Sequence, residues 1–126
     1  MLYIFVGLGG VFGAMSRYAI SKAINEKTGF SFPLGTLIVN ITGAFLLSFI
    51  LGMGISHQGL IAKDLELALT TGFLGAYTTF STFSWETFQL IQNGEFFRVL
   101  ACVLLSVFLG LMAAWLGFLT STNWIH

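Results

Sequence analysis

The apolar stretch from Leu65 to Gln92 interrupts itself. Within it, Gly72-Phe73-Leu74-Gly75-Ala76-Tyr77-Thr78-Thr79-Phe80-Ser81-Thr82-Phe83-Ser84 puts five Ser and Thr hydroxyls between positions 78 and 84, close to two glycines. An ordinary membrane helix does not carry such a run. The local sequence predicts that Gly72, Gly75 and the hydroxyl run divide the stretch into two short half-helices. Backbone groups freed by a break need partners inside lipid. The first half ends in carbonyls, which attract a cation, and the second begins with N–H groups, which attract an anion. Carbonyl and hydroxyl oxygens suit a hard cation without any carboxylate. The segment therefore predicts an ion site.

The membrane setting follows from the scarcity of charge. Of 126 residues, 8% are charged and 56% are hydrophobic, with mean hydropathy +0.92. A soluble domain carries about 25% charged residues. Four stretches meet the requirement of about 20 mainly apolar residues: roughly Leu2 to Ile20, Pro33 to Ile55, Leu65 to Gln92 and Phe96 to Leu119. The expectation is an all-α membrane protein, a single four-helix transmembrane domain over residues 1–126, with both termini on one side. Met1 to Phe5 lack a positive n-region, so the first stretch reads as a span and not a signal peptide. Most charges are expected in loops: Lys22, Glu26 and Lys27, then Lys63 and Asp64, then Glu95. Pro33 suits the first turn of the second helix, and Asn93-Gly94 suits the end of the third. Trp124 suits a headgroup anchor. Four of the five Lys and Arg residues fall opposite the termini, a count that favours that side as cytoplasmic.

Small residues recur at helical spacing. Gly9 and Gly13 pair on the first helix; Thr36, Asn40, Ala44, Ser48 and Gly52 form a stripe on the second; Cys102, Ser106, Gly110 and Ala114 form one on the fourth. Such stripes let helices approach closely. Asn40 is too polar to face lipid, so its amide serves either packing or a water-lined path. Four helices enclose little volume, which favours a pathway between the subunits of a homodimer. Phe80 and Phe83, three apart, can share one helix face. Their ring edges are electropositive and can meet a small anion; the alternative is that they face lipid or core.

Three motifs together carry a family resemblance: Gly75-x-x-Thr78-Thr79-Phe80-Ser81-Thr82-Phe83, Gly35-Thr36-Leu37-x-Val39-Asn40-x-x-Gly43, and Gly13-x-x-x-Arg17. In length, span count and motif order the chain resembles the Fluc (CrcB) fluoride channels. The resemblance implies an antiparallel, dual-topology homodimer in the bacterial inner membrane, with two fluoride pores. It implies a structural sodium ion at the dimer centre, held by backbone carbonyls at Gly75 and Thr78 of each subunit. Phe80 and Phe83 would line the pores, Asn40 would donate its amide, and Ser81 and Thr82 would offer hydroxyls nearby. Thr36 and Ser106 would join the polar track, with Cys102 and Gly110 at the flanking spacings. Arg17 would draw anions to a vestibule. Glu86, one turn past Phe83, falls where the family has an acid.

Other classes fit less well. A proton-coupled multidrug exporter needs a carboxylate in its first span, and Leu2 to Ile20 has none. A non-transporting assembly subunit gives no reason for the hydroxyl run. Zero net charge leaves no basic surface for nucleic acid. Cys102 is the single cysteine, and no Cys/His metal spacing exists. An enzyme is not expected: His57 falls in a loop, His126 at the C-terminus, and no nucleophile–base pair is visible.

Overall fold

Turn residues and caps divide the chain into four antiparallel passes. The computed structural model describes residues 1–29 and 31–124; His126 lies outside the described residues. The first pass is α1 (Leu2–Thr28), closed by Gly29 at φ 80°, whose N–H reaches the Asn25 carbonyl at 2.9 Å. Asn25 also accepts from the Gly35 N–H at 3.0 Å, tying the end of α1 to the start of α2 (Leu34–Ser56). The third pass is α3 (Lys63–Leu67), a π-helical turn (Ala68–Leu74), α4 (Gly75–Tyr77) and α5 (Phe80–Gln92). The fourth is α6 (Phe96–Asn123). No strand occurs among the described residues. Of these helices, α1, α2 and α6 are each long and apolar enough to cross a membrane.

Several expectations shift. Lys22, Glu26 and Lys27 ride on the last turns of α1 and not in a loop. Lys22 and Glu26 pair loosely at i,i+4, 3.9 Å apart, and Lys27 complements the helix dipole. Lys63 and Asp64 open α3, and Glu95 is the N-cap of α6. Pro33 is itself the N-cap of α2, one residue before the first turn. Asn93-Gly94 does end α5: Gly94 sits at φ 71°, and the Gly94 and Glu95 N–H groups return to the Ile91 and Leu90 carbonyls. Trp124 is mostly exposed and meets Phe49 edge-on at 5.9 Å.

Glycines set how closely the passes approach. A Cβ on Gly9 would strike the Ala68 carbonyl, and one on Gly13 the Phe73 carbonyl; one on Gly72 would lie 2.6 Å from the Val6 carbonyl. The first helix therefore lies backbone to backbone on the π-helical turn. Thr70 directs its hydroxyl to the Glu66 carbonyl at 2.7 Å, competing with the regular ladder where the turn begins. The other extensive pair is α2 with α6. There the small residues facing α2 are Ala113, Gly117 and Ser121, all buried, whereas Gly110 faces open space. The fourth-helix stripe expected from Cys102 to Ala114 thus continues on nearly the same face, one heptad on, through Ala113, Gly117 and Ser121.

Gly13→Ala should destabilise the folded protein by about 1–3 kcal/mol, since the colliding atom is backbone and cannot swing away. Gly7→Ala meets nothing within 4 Å inside the same helix and should leave stability unchanged or raise it by up to about 1 kcal/mol. Unfolding in detergent, followed for both variants side by side, checks the contrast.

Candidate functional site

The third pass leaves helical geometry at two residues. Thr78 (φ −83°, ψ 156°) and Thr79 (φ −150°, ψ 121°) are extended between α4 and α5. The two glycines do not make this interruption. Gly75 is helical (φ −62°, ψ −34°), and Gly72 lies inside the π-helical turn against α1. Paired β-branched threonines suit extended backbone better than glycine does.

Asn40 holds the interruption. Its Nδ2 donates to the Thr79 carbonyl at 3.0 Å, and the Thr79 N–H donates to its Oδ1 at 2.8 Å. In a continuous helix the Thr79 N–H would serve the Gly75 carbonyl. Here a side chain from α2 takes that donor. The Gly75 carbonyl is left without its helical partner, at an exposed residue.

Thr79 then restarts the helix. Its Oγ1 accepts from the Thr82 N–H at 3.2 Å and donates to the Thr82 Oγ1 at 3.1 Å. This is an N-cap of the usual Ser/Thr kind. The Ser81 hydroxyl lies 3.3 Å from the same oxygen. The Ser81 and Thr82 hydroxyls are thereby drawn into the cap. Thr79 was missed as a site residue by sequence reasoning, although a threonine three residues before a polar residue at a helix start is the signal of a cap.

An open groove of about 380 Å³ runs beside the interruption. Asn40, Phe80, Phe83 and Ser106 all line it, with Thr78 and Leu47. Four of the expected pore residues are thus brought to one place. The Phe80 and Phe83 rings are 5.9 Å apart and inclined at 43°. Phe80 is 79% exposed in the single chain. The Ser106 Oγ is buried without a hydrogen-bond partner. Asn40 keeps a second Nδ2 hydrogen beyond the one given to Thr79. Gly43 clears the space, since a Cβ there would strike the Thr78 methyl.

The remaining residues lie elsewhere. Thr36 is buried one turn before Asn40, with its hydroxyl beside the Glu86 carboxyl group. Glu86 Oε2 is buried and unpartnered, and Glu86 lines a second, more polar cleft of about 530 Å³ with Asn25, Gln89, Asn93, Glu95 and Arg98. Arg17 is half-buried on α1 and lines neither space. Cys102 is buried, with its Sγ 3.5 Å from the Thr87 hydroxyl, so it joins α6 to α5 and does not open onto the groove. His57 is only partly exposed, and its Nε2 is buried without a partner.

Such a chain is a small helical membrane protein whose third pass is interrupted beside a groove lined by aromatic rings and polar side chains. The chain belongs to the family described as CrcB-like protein, Camphor Resistance (CrcB), whose model matches residues 4–118. It is 46% identical over 121 residues to a protein of Moorella thermoacetica named fluoride-specific ion channel FluC 2, covering 96% of this chain and 97% of that one. It is 42% identical over 118 residues to the fluoride-specific ion channel FluC of Geobacter metallireducens, covering 94% of each. A FluC 2 of Clostridium acetobutylicum is 43% identical over 117 residues, covering 93% of this chain and 95% of that one.

Asn40→Leu should orphan both Thr79 backbone groups, at about 1–3 kcal/mol each. Hydrogen exchange at the Thr79 amide should then speed up by about tenfold or more, while exchange in α6 stays as it was.

Proposed function

We propose that this chain forms a fluoride-selective channel in the bacterial inner membrane. It works as an antiparallel, dual-topology homodimer with two pores, and it relieves fluoride toxicity by passive export. The observation that carries the reading is the groove: two phenylalanine rings and hydrogen-bond donors line it together, with no cation or carboxylate among the described residues lining it. The relatives named above supply the identity of the ion.

Fluoride is small and tightly hydrated, so a pore must replace its water with donors. Asn40 offers its free amide hydrogen, and Ser106 offers a hydroxyl that has no other partner. Phe80 and Phe83 present ring edges that stabilise an anion without holding it strongly. A narrow set of fixed donors disfavours chloride, which is larger. Thr36 and Glu86 lie one turn further along α2 and α5 and continue the path. The Ser81 and Thr82 hydroxyls act through the cap that fixes Phe80. The driving force needs no fuel. Hydrogen fluoride enters as the neutral acid, dissociates at near-neutral pH, and leaves as the anion. A negative interior contributes about 2.3 kcal/mol per 100 mV.

The dimer reading is supported by exposure. Phe80 and the groove are open in the single chain, and the interruption lies beside them. The sodium reading is supported by the donor set. Carbonyls of Gly75 and Thr78 from two copies would hold the ion; hard oxygen donors suit it, and the Gly75 carbonyl has lost its helical partner to Asn40. Bound there, sodium would supply a fixed positive charge that joins the two subunits.

Liposomes containing only this protein should release fluoride and retain chloride. Phe80→Ile and Phe83→Ile should each cut fluoride efflux roughly tenfold, the factor for losing about 1.4 kcal/mol of edge contact. Efflux unchanged in both variants would remove the aromatic edges from the account.

A further inference from the structure

The polar cleft at the turn between α5 and α6 contains one cation among its described lining residues, Arg98. Its Nη1 makes both recorded contacts, donating to the Ser31 carbonyl at 3.1 Å and to the Glu95 carboxylate. The Nη2 and Nε hydrogens are not used in these bonds, and the side chain is 49% exposed. Arg98 can therefore face water and its partner together. Residues that line the cleft lie one helical turn from residues that line the groove. Glu86 lines the cleft, and Phe83, three residues earlier on the same helix, lines the groove. Thr36, beside Glu86, is one turn from Asn40.

Resting on the fluoride-channel reading, we propose that the Glu95–Arg98 pair sets the anion concentration at the mouth of this path. Arg98 is the collecting charge. Glu95 is a brake, because it occupies the guanidinium and repels anions. Arg17, expected to serve this purpose, does not line the cleft. Arg98 also ties the α1–α2 connection to α6 through Ser31, so charge and staple must be told apart. A unit charge about 7 Å from an ion in watery surroundings changes its energy by about RT, a factor of about three in local concentration. That factor is screened by salt, whereas a staple is not.

The test is fluoride efflux from liposomes at about 0.01 M and about 1 M of an impermeant salt, where the Debye length falls from about 30 Å to about 3 Å. At low salt, Arg98→Gln should lower efflux about threefold and Glu95→Gln should raise it by a similar factor. Both differences should shrink toward unity at high salt, and Arg98→Lys should keep most of the efflux. The proposal is overturned if Arg98→Gln and Arg98→Lys lose efflux equally at both salts, which marks a staple. It is also overturned if Glu95→Gln lowers efflux, or if none of the three changes it. Loss of efflux in the unsubstituted protein would instead defeat the channel reading itself, a separate outcome from any of these.

Discussion

Asn40 exchanges two hydrogen bonds with the backbone of Thr79, and the interruption of the third pass exists because of that exchange. Extended backbone inside an apolar setting leaves an amide and a carbonyl without helical partners, and lipid offers none. A carboxamide carries one donor group and one acceptor in the spacing of a peptide, so it can satisfy both. An aspartate could accept but not donate, and a serine could not reach both groups at once. With the backbone fixed, Thr79 can cap α5, and α5 can aim Phe80 and Phe83 into the groove. The same diversion releases the Gly75 carbonyl. The shape of the groove and the freed Gly75 carbonyl are thus two consequences of one side chain on α2.

Close approach makes that exchange possible. The second helix must come within hydrogen-bonding distance of the break, and Gly43 lets it do so against Thr78 and Tyr77. Thr42 adds a hydroxyl contact to the Tyr77 phenol at 3.0 Å. On the far side, Gly9, Gly13 and Gly72 bring α1 onto the π-helical turn. The interrupted pass is gripped between two helices that present glycine at their closest approaches. This is how a segment with poor helical continuity keeps a defined shape. The Phe73 and Tyr77 rings, stacked 5.8 Å apart, fill the space the glycines leave around it.

Much of this was legible in the chain itself. The four passes follow from where charge is absent, and Pro33 and Asn93-Gly94 mark ends within a residue or so, whereas the first helix runs on past the expected Ile20 to Thr28. The hydroxyl run announced an interruption, and Asn40 announced itself by being an amide in an apolar helix. The glycines in the third pass misled, because glycine signals either a break or a close approach, and only the neighbour decides which. Gly72 is a contact surface, and the break lies at two threonines. The roles of Ser81 and Thr82 were also displaced, since a hydroxyl beside a helix start is taken by the cap before it can serve a groove.

What the sequence determined alone was the solvent, the number of passes and which polar residues fall within apolar helices. These depend on composition and on local periodicity, which a chain holds without any long-range contact. The tertiary structure alone decided that Asn40 spends one donor on the backbone of Thr79, and that Ser106 keeps its hydroxyl free while Cys102 does not open onto the groove. It decided too that Arg98, and not Arg17, lines the polar cleft. Each of these turns on which two helices meet and in what register. Hydrogen-bond donors are claimed by whichever acceptor lies nearest in space, and nearness in space is not written in spacing along the chain.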